Sequence, residues 1–134
     1  MLGFYFNLDT TRVVLIKKNR PDWQKGKLNG VGGKIETGES AYRAMIREFE
    51  EETGIADYCW KKAFNLIDTK NGWDVKIFFT ISEKIDQIIS KTDELLIICP
   101  CDYLPNDVIF NLRWMIPLLL DKNIDNNLTF ILKE

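Results

Sequence analysis

The residues best suited to chemistry in this sequence are four glutamates within five consecutive positions, Glu48, Glu50, Glu51 and Glu52. The surrounding segment has the apolar spacing of a helix, in which each residue advances by about 100°. Glu48, Glu51 and Glu52 therefore share one face, within an arc of roughly 100°, and Glu50 points to the opposite side. Like charges at this spacing repel one another, and the nearby negative end of the helix dipole adds to the repulsion. Two arrangements could offset this repulsion. The acidic face is either solvated, with Arg47 paired to Glu51, or it holds a bound cation.

A divalent cation suits this arrangement, because three carboxylates at positions i, i+3 and i+4 can hold a hard ion that also bridges phosphates. Two features favour the cation over a solvated acidic face. An apolar arc adjoins the acidic one, so this face borders the core; it consists of Tyr42, Met45, Ile46 and Phe49. A glycine-rich loop, residues 30–34, lies just upstream and can approach a ligand closely. We therefore predict a Mg²⁺ site, with Mn²⁺ as the alternative ion.

The composition limits the remaining chemistry and the partners. The chain has 134 residues and no histidine, which excludes Ser-His-Asp and Cys-His relays and His-ligated zinc. A net charge of −2 argues against duplex nucleic acid or an anionic membrane as a partner, and leaves a nucleotide-sized ligand. The longest apolar run, residues 114–120, is far shorter than the roughly 20 residues that span a bilayer. The N-terminal segment lacks the pattern of a signal peptide, so we expect a cytoplasmic protein.

The hydrophobic pattern predicts one domain over residues 1–134, with a mixed β-sheet and two helices, and hence an α/β or α+β fold. We expect strands at Gly3–Leu8, Arg12–Lys18, Leu28–Val31, Tyr58–Asp68, Trp73–Ile81, Glu94–Cys101 and Leu128–Leu132, the last at a sheet edge. The first helix is predicted to begin at Glu39-Ser40 and to end at Thr53, before Gly54. The second is predicted over Asp107–Leu120, interrupted or kinked at Pro117.

Residues 33–55 fit the Nudix box at every defined position: Gly, five residues, Glu, seven residues, Arg-Glu-apolar, one residue, Glu-Glu, one residue, Gly-apolar. The matching residues are Gly33, Glu39, Arg47, Glu48, Phe49, Glu51, Glu52, Gly54 and Ile55. The chain thus resembles the Nudix hydrolases, which cleave a nucleoside diphosphate linked to another group. The resemblance implies an α/β/α sandwich with a mixed sheet, in which the box forms a loop-helix-loop.

The resemblance also implies a role for each box residue. The metal ligands would be Glu48, Glu51, Glu52 and the carbonyl of Gly32. Arg47 would orient a box glutamate, and Glu39 would brace the loop or contact metal through water. The general base stays open: it is Glu51, Glu52, or Glu94 in the later segment Thr92-Asp93-Glu94. A solvated residue at a strand start is an equal alternative for Glu94.

Substrate specificity must come from outside the box. Residues 26–34 are similar to the oxidised-purine triphosphatases of the MutT type, in which the Asn29 position contacts the base and the Trp23 position can hold an aromatic stacking residue. Phe110-Asn111 and the segment 114–120 resemble the base pocket and final helix of that group. An amide such as Asn111 can donate and accept along a purine edge, and an aromatic face adds stacking. We therefore expect substrate binding by Trp23, Asn29, Lys34, Phe110 and Asn111.

Two alternatives apply within this set, and one segment departs from the resembled pattern. Asn29 is also a good turn former, and Trp23 can equally serve packing. The pocket of the MutT-type group uses paired Asp residues where this chain has Asn111-Leu112-Arg113, which argues against broad use of oxidised adenine.

The leading functional hypothesis is a Mg²⁺-dependent pyrophosphohydrolase that converts a (d)NTP such as 8-oxo-dGTP to a nucleoside monophosphate and pyrophosphate. Within the same chemistry, the alternative substrates are ADP-ribose, a dinucleoside polyphosphate or capped RNA. A non-catalytic Nudix-like sensor that binds a nucleotide is a different class, which the complete set of box carboxylates disfavours. The sequence is compatible with a monomer or a homodimer.

Overall fold

The computed structural model describes residues 1–124 and 128–133 of the chain. Within them, one eight-stranded sheet is flanked by two α-helices. The strands are β1 Leu2–Phe6, β2 Arg12–Lys17, β3 Leu28–Asn29, β4 Val31–Gly32, β5 Lys61–Asp68, β6 Trp73–Ile81, β7 Leu96–Pro100 and β8 Leu128–Leu132. The helices are α1 Ala41–Thr53 and α2 Leu112–Leu120, and short 3₁₀ helices lie at Asp22–Gln24 and Glu83–Gln87.

The sheet is mixed. Its main path runs β3-β2-β1-β6-β5-β8, with β4 added to β1 and β7 added to β2. The pairs β1–β6 and β5–β8 are parallel, whereas the other strand pairs are antiparallel. As predicted, β8 lies at one end of this path.

The two helices cover opposite faces of the sheet. Successive residues of a strand point to opposite faces, and β1 shows this directly. Phe4 belongs to the cluster that contains Met115 of α2, and its neighbour Tyr5 belongs to the cluster that contains Met45 and Phe49 of α1. The result is the α/β/α sandwich with a mixed sheet that the sequence predicted.

Two predicted elements differ from the structure. Helix α2 begins at Leu112, so the prediction of a start at Asp107 is wrong. Residues 107–109 run alongside β3: the Leu28 N–H donates to the Asp107 carbonyl at 2.9 Å, and the Ile109 N–H donates to the Leu28 carbonyl at 2.9 Å. Sheet pairing has thus overridden the helical pattern there. Pro117 lies inside α2, which nevertheless continues to Leu120.

The predicted strand Leu28–Val31 is divided into β3 and β4 at Gly30. The two halves pair with different neighbours, β3 with β2 and β4 with β1. A Cβ at Gly30 would lie only 2.9 Å from the Gly3 carbonyl oxygen, so this change of partner needs a residue without a side chain.

Candidate active site

Helix α1 carries the acidic residues, and its ends are fixed by local hydrogen bonds. The Ser40 hydroxyl accepts the Arg43 N–H at 3.1 Å, which caps the first turn. Gly54 has a φ of 79°, and its N–H closes the last turn on the Glu50 carbonyl at 2.9 Å. On the apolar face the Phe49 ring stacks on Tyr5, with ring centroids 4.6 Å apart. These contacts fix the rotation of the helix about its axis, and hence the direction in which its carboxylates point.

The glycine-rich loop passes close to the first of these carboxylates. A Cβ at Gly33 would lie 2.4 Å from the carboxyl carbon of Glu48, so only glycine fits without displacing that side chain. At Gly32 a Cβ would lie 2.2 Å from the Met1 carbonyl oxygen, because β4 pairs with β1 there. The backbone of this loop therefore lies directly against the acidic face of α1.

Arg47 forms hydrogen bonds with several residues of the box. Its Nε and one terminal nitrogen donate to the two carboxylate oxygens of Glu39, at 3.1 and 2.6 Å. Its other terminal nitrogen donates to Glu48 at 2.8 Å and lies 3.4 Å from Glu51. A further bond of 3.1 Å reaches the Lys34 carbonyl oxygen. A bidentate guanidinium of this kind fixes both the loop before the helix and the carboxylates on it.

The charges in this cluster shift its acid–base properties. The hydrogen bond from Arg47 holds the pKa of Glu39 below its ordinary value, and the Glu36 N–H contributes in the same direction. The side chain of Glu48, by contrast, is only 16% exposed. Burial raises the pKa of Glu48, the neighbouring charges of Glu51 and Glu52 add to the rise, and Arg47 opposes it. Burial of Glu48 thus outweighs the hydrogen bond from Arg47.

The third metal-ligand candidate has a different hydrogen-bond partner. The Glu52 carboxylate accepts a hydrogen bond of 2.6 Å from the Thr92 hydroxyl, whereas Glu48 and Glu51 face Arg47. Over residues 1–124 and 128–133, no three Asp, Glu or Cys side chains converge closely enough to hold an ion. The donor set still fits Mg²⁺ or Mn²⁺, because it offers hard carboxylate oxygens from one helical turn.

Glu94, the third candidate for the general base, has a different environment. It is 4% exposed, and its carboxylate accepts hydrogen bonds from Lys18 Nζ at 3.0 Å and the Asn19 N–H at 2.6 Å. Burial alone would raise the pKa of Glu94, but these donors together hold it below its ordinary value. A carboxylate held in this way is a weak proton acceptor, so the structure gives Glu94 the contacts of a buried ion pair.

A cavity of ≈ 450 Å³ adjoins the box. Its lining includes the loop residues Gly32, Gly33 and Lys34 and the α2 residues Leu112 and Met115. This volume lies within the usual range for small-ligand sites, roughly 300 to 1,000 Å³. A ligand in the cavity would therefore lie against the loop that packs on the Glu48 carboxylate.

Four of the five predicted substrate-binding residues line this cavity, namely Trp23, Asn29, Lys34 and Asn111. The Asn29 amide donates to Gln24 at 3.1 Å and accepts the Gly30 N–H at 2.8 Å, so it also shapes the loop. Asn111 precedes α2, and its side chain makes no capping hydrogen bond in the described part of the chain. Phe110 is 74% exposed and does not line the cavity.

The sequence pattern did not single out Trp73 or Lys18, which also line the cavity. The Trp73 ring stacks against Trp23, with centroids 5.6 Å apart and an interplanar angle of 27°. Trp73 and Val75 lie on the same face of β6 and both reach the cavity, so strand alternation after the turn at 70–72 was the signal that could have indicated Trp73. The two tryptophans form an aromatic wall of the cavity.

Comparison with known proteins gives the family. The NUDIX domain model matches residues 3–117, which include the whole box and most of the residues that line the cavity. The chain belongs to the Nudix family. It is a Nudix pyrophosphohydrolase, and members of this family act on nucleotide substrates and generally use a divalent metal.

Solved structures agree with this assignment. A MutT structure from work on Aliivibrio salmonicida and Vibrio cholerae is 25% identical, covers 87% of this chain and 94% of its own, and has a TM-score of 0.62. A MutT Nudix hydrolase from Burkholderia pseudomallei is 24% identical, with 88% and 97% coverage and a TM-score of 0.67. The Nudix domain of Shewanella oneidensis NrtR, solved with ADP ribose, is 15% identical, with 88% and 82% coverage and a TM-score of 0.66. The last two similarities concern the fold.

In the part of the chain that the structure describes, no helix has the length and apolar character needed to cross a bilayer.

Proposed function

We propose that this protein hydrolyses a nucleoside triphosphate to a nucleoside monophosphate and pyrophosphate with Mg²⁺, and that a guanine nucleotide such as 8-oxo-dGTP is its substrate. The observation that carries this proposal is that one cavity is lined both by the box loop and by Trp23, Trp73 and Asn111. A polyphosphate suits the loop, because the positively charged Lys34 lines the cavity there. A flat base suits the aromatic wall, and the Asn111 amide can read its edge.

The box residues have different proposed roles in hydrolysis. Arg47 holds Glu39 and Glu48 at fixed positions, so these two carboxylates do not have to be ordered when substrate binds. Glu51 is 56% exposed and lies at 3.4 Å or more from Arg47, so it is open to an attacking water. We assign Glu51 the acceptance of the proton from that water. A bound divalent cation would neutralise the negative charge of the phosphate oxygens. Without it, that charge repels the oxygen of the attacking water.

The test is turnover of a panel of canonical and oxidised dNTPs, ADP-ribose and dinucleoside polyphosphates, with and without Mg²⁺. We expect Mg²⁺-dependent release of pyrophosphate, with the highest kcat/KM for a guanine-type triphosphate. Preference for ADP-ribose or a dinucleotide would replace the proposed substrate. Thermal stabilisation by nucleotide and Mg²⁺ without turnover of any compound would favour the sensor.

Matched glutamine variants test the carboxylate roles. Glu51→Gln and Glu52→Gln should retain the fold and lower kcat by roughly 10²- to 10⁴-fold, as expected for loss of a proton acceptor or of a ligand. Glu50→Gln is the control, because Glu50 is an exposed glutamate on the same helical turn outside the predicted ligand set. Near wild-type turnover by either Glu51→Gln or Glu52→Gln would contradict the assigned site.

A further inference from the structure

The segment 89–94, which connects the second 3₁₀ helix to β7, docks on the C-terminal end of α1. The Ile89 N–H donates to the Thr53 carbonyl at 3.0 Å, and the Lys91 N–H donates to the Glu52 carbonyl at 3.1 Å. The last carbonyl groups of a helix have no partner within the helix, so these two bonds satisfy them from outside. The segment is therefore fixed to the backbone of Glu52 itself.

Thr92 extends this contact to the Glu52 side chain. Its hydroxyl accepts the Glu94 N–H at 3.2 Å and lies 2.6 Å from Glu52 Oε2. A hydroxyl has one proton, and a carboxylate can only accept, so that proton points at Glu52. The 2.6 Å distance is in the range of charge-assisted O–H···O⁻ hydrogen bonds, which are about twice as strong as neutral ones.

We infer that Thr92 is a positioning residue, which fixes the Glu52 carboxylate through Oε2 and leaves Oε1 as the oxygen for a divalent cation. The inference rests on the proposed function, in which Glu52 is a metal ligand. A glutamate side chain on a helix surface otherwise samples several rotamers, and ordering it on binding lowers affinity for the ion. The hydrogen bond from Thr92 restricts the Glu52 rotamers before the ion binds, so less conformational entropy is lost on binding. Partners of this kind typically change metal affinity by about 10- to 100-fold when they are removed.

The test compares Thr92→Val, which keeps the shape and removes the hydroxyl, with Thr92→Ser, which keeps the hydroxyl. Ser90→Ala is the control: the Ser90 hydroxyl accepts the Leu96 N–H at 3.0 Å in the same segment. Mn²⁺ binding is measured by electron paramagnetic resonance without nucleotide, alongside the melting temperature and the Mg²⁺ dependence of kcat. Thr92 is exposed, so we expect these variants to fold, and Thr92→Ala provides a second removal of the hydroxyl.

We expect Thr92→Val and Thr92→Ala to weaken Mn²⁺ binding about 10- to 100-fold, Thr92→Ser to restore it, and Ser90→Ala to bind as the wild type does. Wild-type Mn²⁺ affinity in Thr92→Val would overturn the inference while leaving the proposed function intact. An equal loss in Ser90→Ala would also overturn it, since the integrity of the segment would then be the cause. Absence of Mn²⁺ binding by the wild-type protein would overturn both proposals.

Discussion

At the scale of single residues, the box is ordered by its own ion pairs. Arg47 bonds to Glu39 through two nitrogens and to Glu48 through a third, and the cluster is partly screened from water. The bidentate geometry restricts the guanidinium and the Glu39 carboxylate to one relative orientation. Asn111, which lines the cavity, makes no side-chain capping bond among the described residues. Its amide is therefore available to a ligand.

Asn111→Ala tests this availability. Loss of a hydrogen bond to a base should lower kcat/KM for a guanine nucleotide by roughly 2- to 10-fold more than for a pyrimidine nucleotide. Steady-state kinetics on both substrates provide the measurement. Asn106→Ala, an exposed asparagine in the preceding loop, is the control. Equal losses for both nucleotides would show that Asn111 does not read the base.

At the scale of elements, the catalytic surface depends on how closely the loop before α1 approaches the helix. Gly33 allows that approach, because any side chain there would meet the Glu48 carboxylate. Gly38, in the same loop, has a φ of +87°, and a Cβ added there would meet no atom of the described residues within 4 Å, so this glycine serves the turn alone. Substitution of Gly33 therefore tests the contact with Glu48, whereas substitution of Gly38 tests backbone strain in the same loop.

Gly33→Ala should displace Glu48 and lower kcat at limiting Mg²⁺ by roughly tenfold or more, with a small change in melting temperature, because the flexible end of Glu48 can move. Gly38→Ala should show the reverse pattern, with destabilisation of about 1 kcal/mol from the positive φ and a smaller effect on kcat. Thermal melts and Mg²⁺ titrations of activity distinguish the two. Equal loss of activity in both variants would assign the effect to strain in the loop.

At the scale of the whole molecule, the ion pair of Lys18 and Glu94 joins distant parts of the chain. Lys18 follows β2 and lines the cavity, and Glu94 belongs to the segment that docks on α1. The pair therefore connects the cavity, the sheet and the end of the catalytic helix. Removal of one partner would leave the other in a site with little solvent.

Glu94→Gln should lower the free energy of unfolding at pH 7 by roughly 1 to 3 kcal/mol, because a charged hydrogen-bond acceptor is lost. The folded protein holds the pKa of Glu94 below its ordinary value of 4.5, so this contribution is complete above about that pH and is lost as pH falls through the folded-state pKa. Denaturant unfolding at several pH values should therefore show the wild type converging with Glu94→Gln in acid. A stability difference that is constant from pH 7 to pH 3 would contradict this account.

The sequence determined helix α1 and the face that carries Glu48, Glu51 and Glu52, because residues three and four apart in a helix must share a face. The Ser40 and Gly54 caps fixed its ends, and the box spacing indicated the family. In contrast, pairing with β3 shortened α2 at its start, which local periodicity could not show.

Only the tertiary structure decided which distant residues meet. Trp73 stacks on Trp23 at the cavity, and Thr92 bonds to Glu52 from 40 positions away. Glu94 pairs with Lys18 from 76 positions away. The order of strands in the sheet sets these contacts, and that order depends on packing across the whole core, which no local spacing in the chain contains.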